Sequence, residues 1–110
     1  MNNEFGLIPK DLTDICAVLA KYPEVKEGIL FGSRAKGNYR TGSDVDLALK
    51  GEDLSSRIVA DIADELNEET LMPYRFDVLN YHRIETPSLR AHIDRVGKCI
   101  YTADAKEVMR

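Results

Sequence analysis

Apolar residues along this chain switch between helical and strand spacing, and the switches mark out its elements. Leu12, Ile15, Cys16 and Leu19 form one helical stripe, with Pro9 suited to the first turn and Tyr22-Pro23 ending it. Ile29-Leu30-Phe31 closes an apolar run that predicts a buried strand over 25–31. A second strand is expected at 44–49, where Val45 and Leu47 point to one face and the run continues through Ala48 and Leu49. Leu54, Ile58, Ile62 and Leu66 recur every fourth residue with Val59 and Ala63 beside them, predicting a helix within 53–69 capped by Asp53 or Ser55. A strand at 75–79 follows. A last helix runs from Pro87 or Ser88 through Arg95, with Leu89, Ile93 and Val96 inward and Gly97 closing it. A final strand at 98–101 leads to a polar tail. These elements predict an α/β (α+β) fold, a small mixed β-sheet flanked by helices, without internal repeats.

The junctions carry the chemistry. Gly32-Ser33 ends the first strand, and ten residues later Asp44-Val45-Asp46 begins the second. Alternate strand residues share a face, so Asp44 and Asp46 project together, roughly 6.5 Å apart. Two carboxylates on one face repel, and a cation between them relieves that repulsion. Hard oxygen ligands suit Mg²⁺, which completes its shell with substrate phosphates. The sharper reading is a two-metal site, with ions roughly 4 Å apart clamping an in-line phosphoryl displacement.

Gly32 allows a sharp turn and places no Cβ in the way of a phosphate. Ser33 suits the N-cap of a short segment Arg34-Ala35-Lys36, with Gly37 stopping it. A helix N-terminus favours an anion. From Gly28 to Ser43 there is no acidic residue, yet Arg34, Lys36 and Arg40 all fall there. That basic window suits a triphosphate, which makes Gly32, Ser33, Arg34 and Ser43 candidate nucleotide-binding residues. A Gly-Ser turn alone is commonly structural, and so is a lone Asp-x-Asp. Their order, on two strands joined by a Gly-rich basic loop, is what carries the reading.

Gly32-Ser33 followed by Asp44-Val45-Asp46 resembles the signature of the DNA polymerase beta-like nucleotidyltransferase superfamily, and within it the minimal nucleotidyltransferases. The resemblance extends over nearly all 110 residues and implies a polymerase beta palm-like core. It also implies a third carboxylate on a neighbouring strand, which Arg75-Phe76-Asp77-Val78-Leu79 supplies as Asp77. By resemblance, Asp44, Asp46 and Asp77 are the catalytic and metal-binding residues. Asp44 and Asp46 would hold both Mg²⁺ ions, and Asp77 would bind the one that activates the incoming hydroxyl. The donor implied is ATP. Minimal nucleotidyltransferases are typically paired with a helical HEPN-type ribonuclease toxin, so the resemblance implies an antitoxin that moves AMP to a tyrosine of that toxin. Two alternatives stay open: a non-catalytic nucleotide-binding subunit that neutralises a partner by contact, and transfer to a small-molecule hydroxyl.

Composition narrows the classes. A chain of 110 residues is expected to fold as one domain over 1–110. The longest apolar stretches are strand-sized, so no membrane span is expected, and Met1-Asn2-Asn3-Glu4 lacks an export leader, which predicts a cytoplasmic protein. A net charge of −4 argues against direct nucleic-acid binding, which depends on basic contacts to phosphate. Cys16 and Cys99 lack metal-type spacing and read as buried, reduced thiols. Asp61, Asp64, Glu65, Glu68 and Glu69 face a single Arg57 and read as a solvated helix face, with docking of a basic partner the alternative. His82 and His92 read as surface or interface residues rather than ligands, and Tyr39 as either a base-stacking or an exposed loop residue. A small core with an exposed active edge fits assembly as a homo- or hetero-oligomer, and the tail from Thr102 to Arg110 is expected to fray unless a second subunit orders it.

Overall fold

A computed structural model describes Leu7, residues 9–37 and residues 44–103. Its elements are α1 (Pro9–Ala20), β1 (Glu27–Phe31), α2 (Ser33–Lys36), β2 (Val45–Lys50), α3 (Ser56–Glu68), β3 (Phe76–Asn80), a 3-10 turn (Tyr81–Arg83), α4 (Pro87–Val96) and β4 (Lys98–Thr102). The strands form one sheet in the order β3-β2-β1-β4. β1 runs antiparallel to both β2 and β4, while β3 runs parallel to β2. This is the mixed sheet with flanking helices that the apolar spacing predicts.

Strand alternation divides the core between the two faces. Leu30, Val45, Leu47, Leu49 and Phe76 pack against Ile15, Val18 and Leu19 of α1 and Ile62 and Leu66 of α3. On the other face, Ile29, Phe31 and Ala48 meet Ile93 of α4. Leu47, Ala48 and Leu49 are all fully buried, which explains why β2 reads as a continuous apolar run rather than an alternating one. Ser55, not Asp53, caps α3: its Oγ accepts from the Ile58 N–H at 3.1 Å.

Three local expectations need correction. Ser33 is the first residue of α2, not its cap; Gly32 holds the cap position, with no side-chain cap bond. Cys99 is exposed, because β4 is an edge strand, and only Cys16 is partly covered, its thiol donating to the Ile100 carbonyl at 3.2 Å. Glu65 leaves the solvated acidic face to bond Lys21 and to accept from the Tyr22 hydroxyl at 3.0 Å, tying α3 to α1. Tyr39, Arg40, Ser43, the opening Met1–Glu4 and the tail beyond Ala103 lie outside the described residues.

The edge of β3 is closed by a side chain. Asn67 Nδ2 donates to the Phe76 carbonyl at 3.0 Å, and Asn67 Oδ1 accepts from the Phe76 N–H at 2.7 Å, so one amide takes the place of a neighbouring strand. Asn67→Ala leaves both backbone groups without that partner. It is expected to cost about 1–2 kcal/mol, read as a lower urea midpoint with an unchanged m-value.

Candidate active site

β1 and β2 are adjacent and antiparallel, so the end of β1 lies beside the start of β2. Phe31 pairs with Asp46, which puts the Gly32-Ser33 turn next to the first acidic residue of β2. Gly32 has φ 79° and ψ −154°, a conformation essentially confined to glycine. A Cβ built there would fall on the Asp46 carboxylate. What the missing Cβ makes room for in this structure is therefore Asp46, and the turn and the carboxylate are fitted to each other. Gly37 then stops α2 in the left-handed conformation, at φ 89°.

The third carboxylate arrives from β3. Asp46 and Asp77 are direct partners across the parallel β2–β3 pair, and Val45 N–H donates to the Arg75 carbonyl at 2.9 Å to lock that register. On β3, Asp77 falls between buried Phe76 and half-buried Val78 of the α1–α3 face, so it shares the opposite face with Asp46 and Leu79. Asp44 precedes β2 by one residue and is exposed, as is Asp77, while Asp46 is half-buried. The sheet thus gathers all three sequence-nominated aspartates at one corner, next to Gly32 and Ser33.

Electrostatics records this crowding. The Asp46 carboxyl is pushed up to about 6, first by burial, then by the negative charges of Asp77 and Asp44, with the Arg34 guanidinium pulling it back down. A carboxylate held at such a disadvantage is what a cation would relieve. Asp44, Asp46 and Asp77 supply hard oxygen donors of the kind Mg²⁺ takes. Among the described residues no three His, Cys, Asp or Glu side chains are grouped so as to hold a metal ion, so an ion here would need the carboxylates to draw together and further oxygens from a bound phosphate or water.

The structure adds surroundings to other residues that the sequence singles out. Arg34 is not an exposed basic hook: it is 3% exposed, with its guanidinium carbon 5.0 Å from the centre of the Tyr74 ring. The Tyr74 hydroxyl in turn donates to Asp11 Oδ2 at 2.8 Å. His82 Nε2 accepts from the Gly51 N–H at 3.1 Å, while His92 sits edge-on to Phe31, the neighbour of Gly32. Sequence reasoning passed over Asp11 and Tyr74. The available signal was Asp11 on the same helical stripe as Ile15 and Val18, a charge at a core position.

Comparison with known proteins addresses the family and the fold. The profile described as "Polymerase beta, Nucleotidyltransferase" matches residues 13–106, a span that includes Gly32, Ser33 and all three aspartates. No curated protein sequence matches the chain. Among solved structures, a toxin-antitoxin bound to AMP-PNP superposes with a TM-score of 0.69 at 22% identity, covering 88% of this chain and 78% of that one. A chain of the Shewanella oneidensis complex between a tri-AMPylated HEPN toxin and its MNT antitoxin gives 0.66 at 18% identity, covering 91% and 76%. The MntA-HepT toxin-antitoxin gives 0.67 at 17% identity, covering 93% and 79%. At these identities the superpositions speak for the fold, and the profile match over most of the chain speaks for the family. The chain belongs to the polymerase beta nucleotidyltransferase family.

Proposed function

We propose that this chain transfers AMP from ATP to a hydroxyl of a partner protein, as an antitoxin that AMPylates a tyrosine of a HEPN-type toxin. The observation that carries the reading is the Asp46–Asp77 register next to a glycine turn shaped around Asp46. The acceptor is inferred from the company its structural relatives keep: AMP-PNP in one complex, a tri-AMPylated HEPN toxin in another.

In this scheme Asp44, Asp46 and Asp77 would hold the Mg²⁺. When bound, the ions would neutralise charge on the phosphates. The chain's own residues do the rest. Gly32 and Ser33 face the triphosphate and present backbone N–H groups to it. Asp77 orients the tyrosine oxygen and receives its proton. A new bond forms between that oxygen and the α-phosphorus, the bond from the α-phosphorus to the bridging oxygen breaks, and pyrophosphate leaves. Positioning and preorganised charge supply most of the acceleration. Among the described residues no helix is long and apolar enough to cross a membrane, and both cysteines are free thiols.

The test is incubation with α-³²P-ATP, Mg²⁺ and a HEPN-type helical protein, the candidate partner being whichever one is encoded beside this chain. Label is expected on a tyrosine of the partner and not with the Asp44→Asn, Asp46→Asn double variant. Label that survives the double change removes the mechanism. Neutralisation of the partner without any labelling replaces it with the contact-only reading.

A further inference from the structure

Asp11, at 7% exposure, and Arg34, at 3%, are the buried charged side chains among the described residues. They sit on different elements and carry opposite charge. Tyr74, in the link between α3 and β3, lies between them: its hydroxyl bonds Asp11 and its ring face takes the Arg34 guanidinium. The same ring stands edge-on to Phe76 of β3, centroids 6.4 Å apart at 86°, which fixes its plane from a third side. Burial and the bond to Asp11 push the Tyr74 hydroxyl above its ordinary value, so it stays a donor at neutral pH.

The arrangement matters because of what α2 lacks. α2 has four residues, and two backbone bonds close it: Lys36 N–H to the Gly32 carbonyl at 3.1 Å and Gly37 N–H to the Ser33 carbonyl at 3.0 Å. A single turn of that length does not hold itself together in water. It needs tertiary anchorage, and Arg34 is its one buried residue. A buried guanidinium is costly unless its charge is met by a partner and a polarisable surface.

We propose that Asp11 and Tyr74 are positioning residues: they hold the Arg34 guanidinium, and through it the Gly32–Lys36 turn, against the Asp46 carboxylate. A charge on the first turn of α1 thereby sets the geometry of the phosphate-facing turn. The consequence for nucleotide rests on the transfer reading above; the consequence for the turn does not.

The experiment compares wild type with Tyr74→Leu, Tyr74→Phe and Asp11→Asn by amide hydrogen exchange and by transfer kinetics. In Tyr74→Leu the Lys36 and Gly37 amides are expected to exchange about tenfold faster while β4 amides stay within about twofold. Tyr74→Phe keeps the stacking ring and falls between. Should Tyr74→Leu fail to fold, Asp11→Asn, which preserves shape and removes only charge, gives the same comparison. Unchanged exchange at Lys36 and Gly37, or an equal rise through β4, overturns the proposal whether or not the protein transfers nucleotide. In the kinetic arm, KM for Mg·ATP is expected to rise about tenfold in Tyr74→Leu with a smaller change in kcat, partly rescued by Tyr74→Phe. A kcat loss at constant KM would remove the link from anchored turn to phosphate grip. A wild-type protein that transfers nothing would instead remove the transfer reading and leave the exchange result standing.

Discussion

Asp46→Asn is expected to abolish nucleotidyl transfer and, in the same protein, to raise the melting temperature at pH 8. The loss of transfer should be about a thousandfold or more, because on the proposed scheme Asp46 would help hold the Mg²⁺ that offsets charge developing on the transferring phosphate. The gain in stability follows from the same geometry. Folding places Asp46 beside Asp77 and Asp44 in a half-buried position and lifts its carboxyl from 3.8 to about 6. The native state therefore binds more protons than the unfolded state between those values, and stability falls as pH rises through the window. Above about pH 6 the penalty is complete. Below about pH 4 the carboxyl is protonated in both states and the penalty vanishes. A shift of that size corresponds to at most about 3 kcal/mol, and solvent screening at a half-exposed group reduces it to about 1–2 kcal/mol. Scanning calorimetry should show Asp46→Asn about 4–8 °C above wild type at pH 8, with the two converging near pH 4. Millimolar Mg²⁺ should raise the wild-type transition and leave the variant unmoved. A variant that melts lower than wild type at pH 8 would contradict the crowded-carboxylate account.

Much of this site was legible because its signals are local and obey strand arithmetic. The apolar run ending at Phe31, the glycine after it and the alternate aspartates of Asp44-Val45-Asp46 state their own geometry, and antiparallel pairing then brings the ends together. Asp77 is different. Nothing in its own neighbourhood shows that β3 pairs with β2 in parallel, and it was reached only by resemblance to a family. The burial of Arg34 was not legible for a related reason: composition shows a basic window but not which cation turns inward. Whether a guanidinium faces solvent depends on Tyr74 and Asp11, which lie 40 positions after it and 23 before it in the sequence. Asn67 at the β3 edge and His82 on the Gly51 N–H are likewise polar side chains recruited to backbone groups from a distance. Periodicity reports faces of elements, and long-range polar pairing leaves no periodic trace.

Gly32→Ala should damage stability and transfer together, and Gly37→Ala is its control. Both glycines have positive φ, yet their surroundings differ. At Gly37 the backbone is near the left-handed helical region and nothing lies within 4 Å of an added Cβ. Alanine there costs about 1 kcal/mol of backbone strain and should leave transfer nearly unchanged. At Gly32 the backbone lies in a region that L-residues scarcely enter, and the added Cβ collides with the Asp46 carboxylate. The collision cannot be relieved by swinging Asp46 toward Asp77, because those two already repel across the β2–β3 pair. Nor can the turn retreat easily, since α2 follows it directly and is anchored through buried Arg34. The expected result is a loss of about 2–4 kcal/mol in urea unfolding and at least about a hundredfold loss in transfer, because displacement of reacting groups by about 1 Å is that costly. Equal behaviour of the two alanine variants would mean that Gly32 serves only the turn, and that the contact between turn and carboxylate has no part in the chemistry.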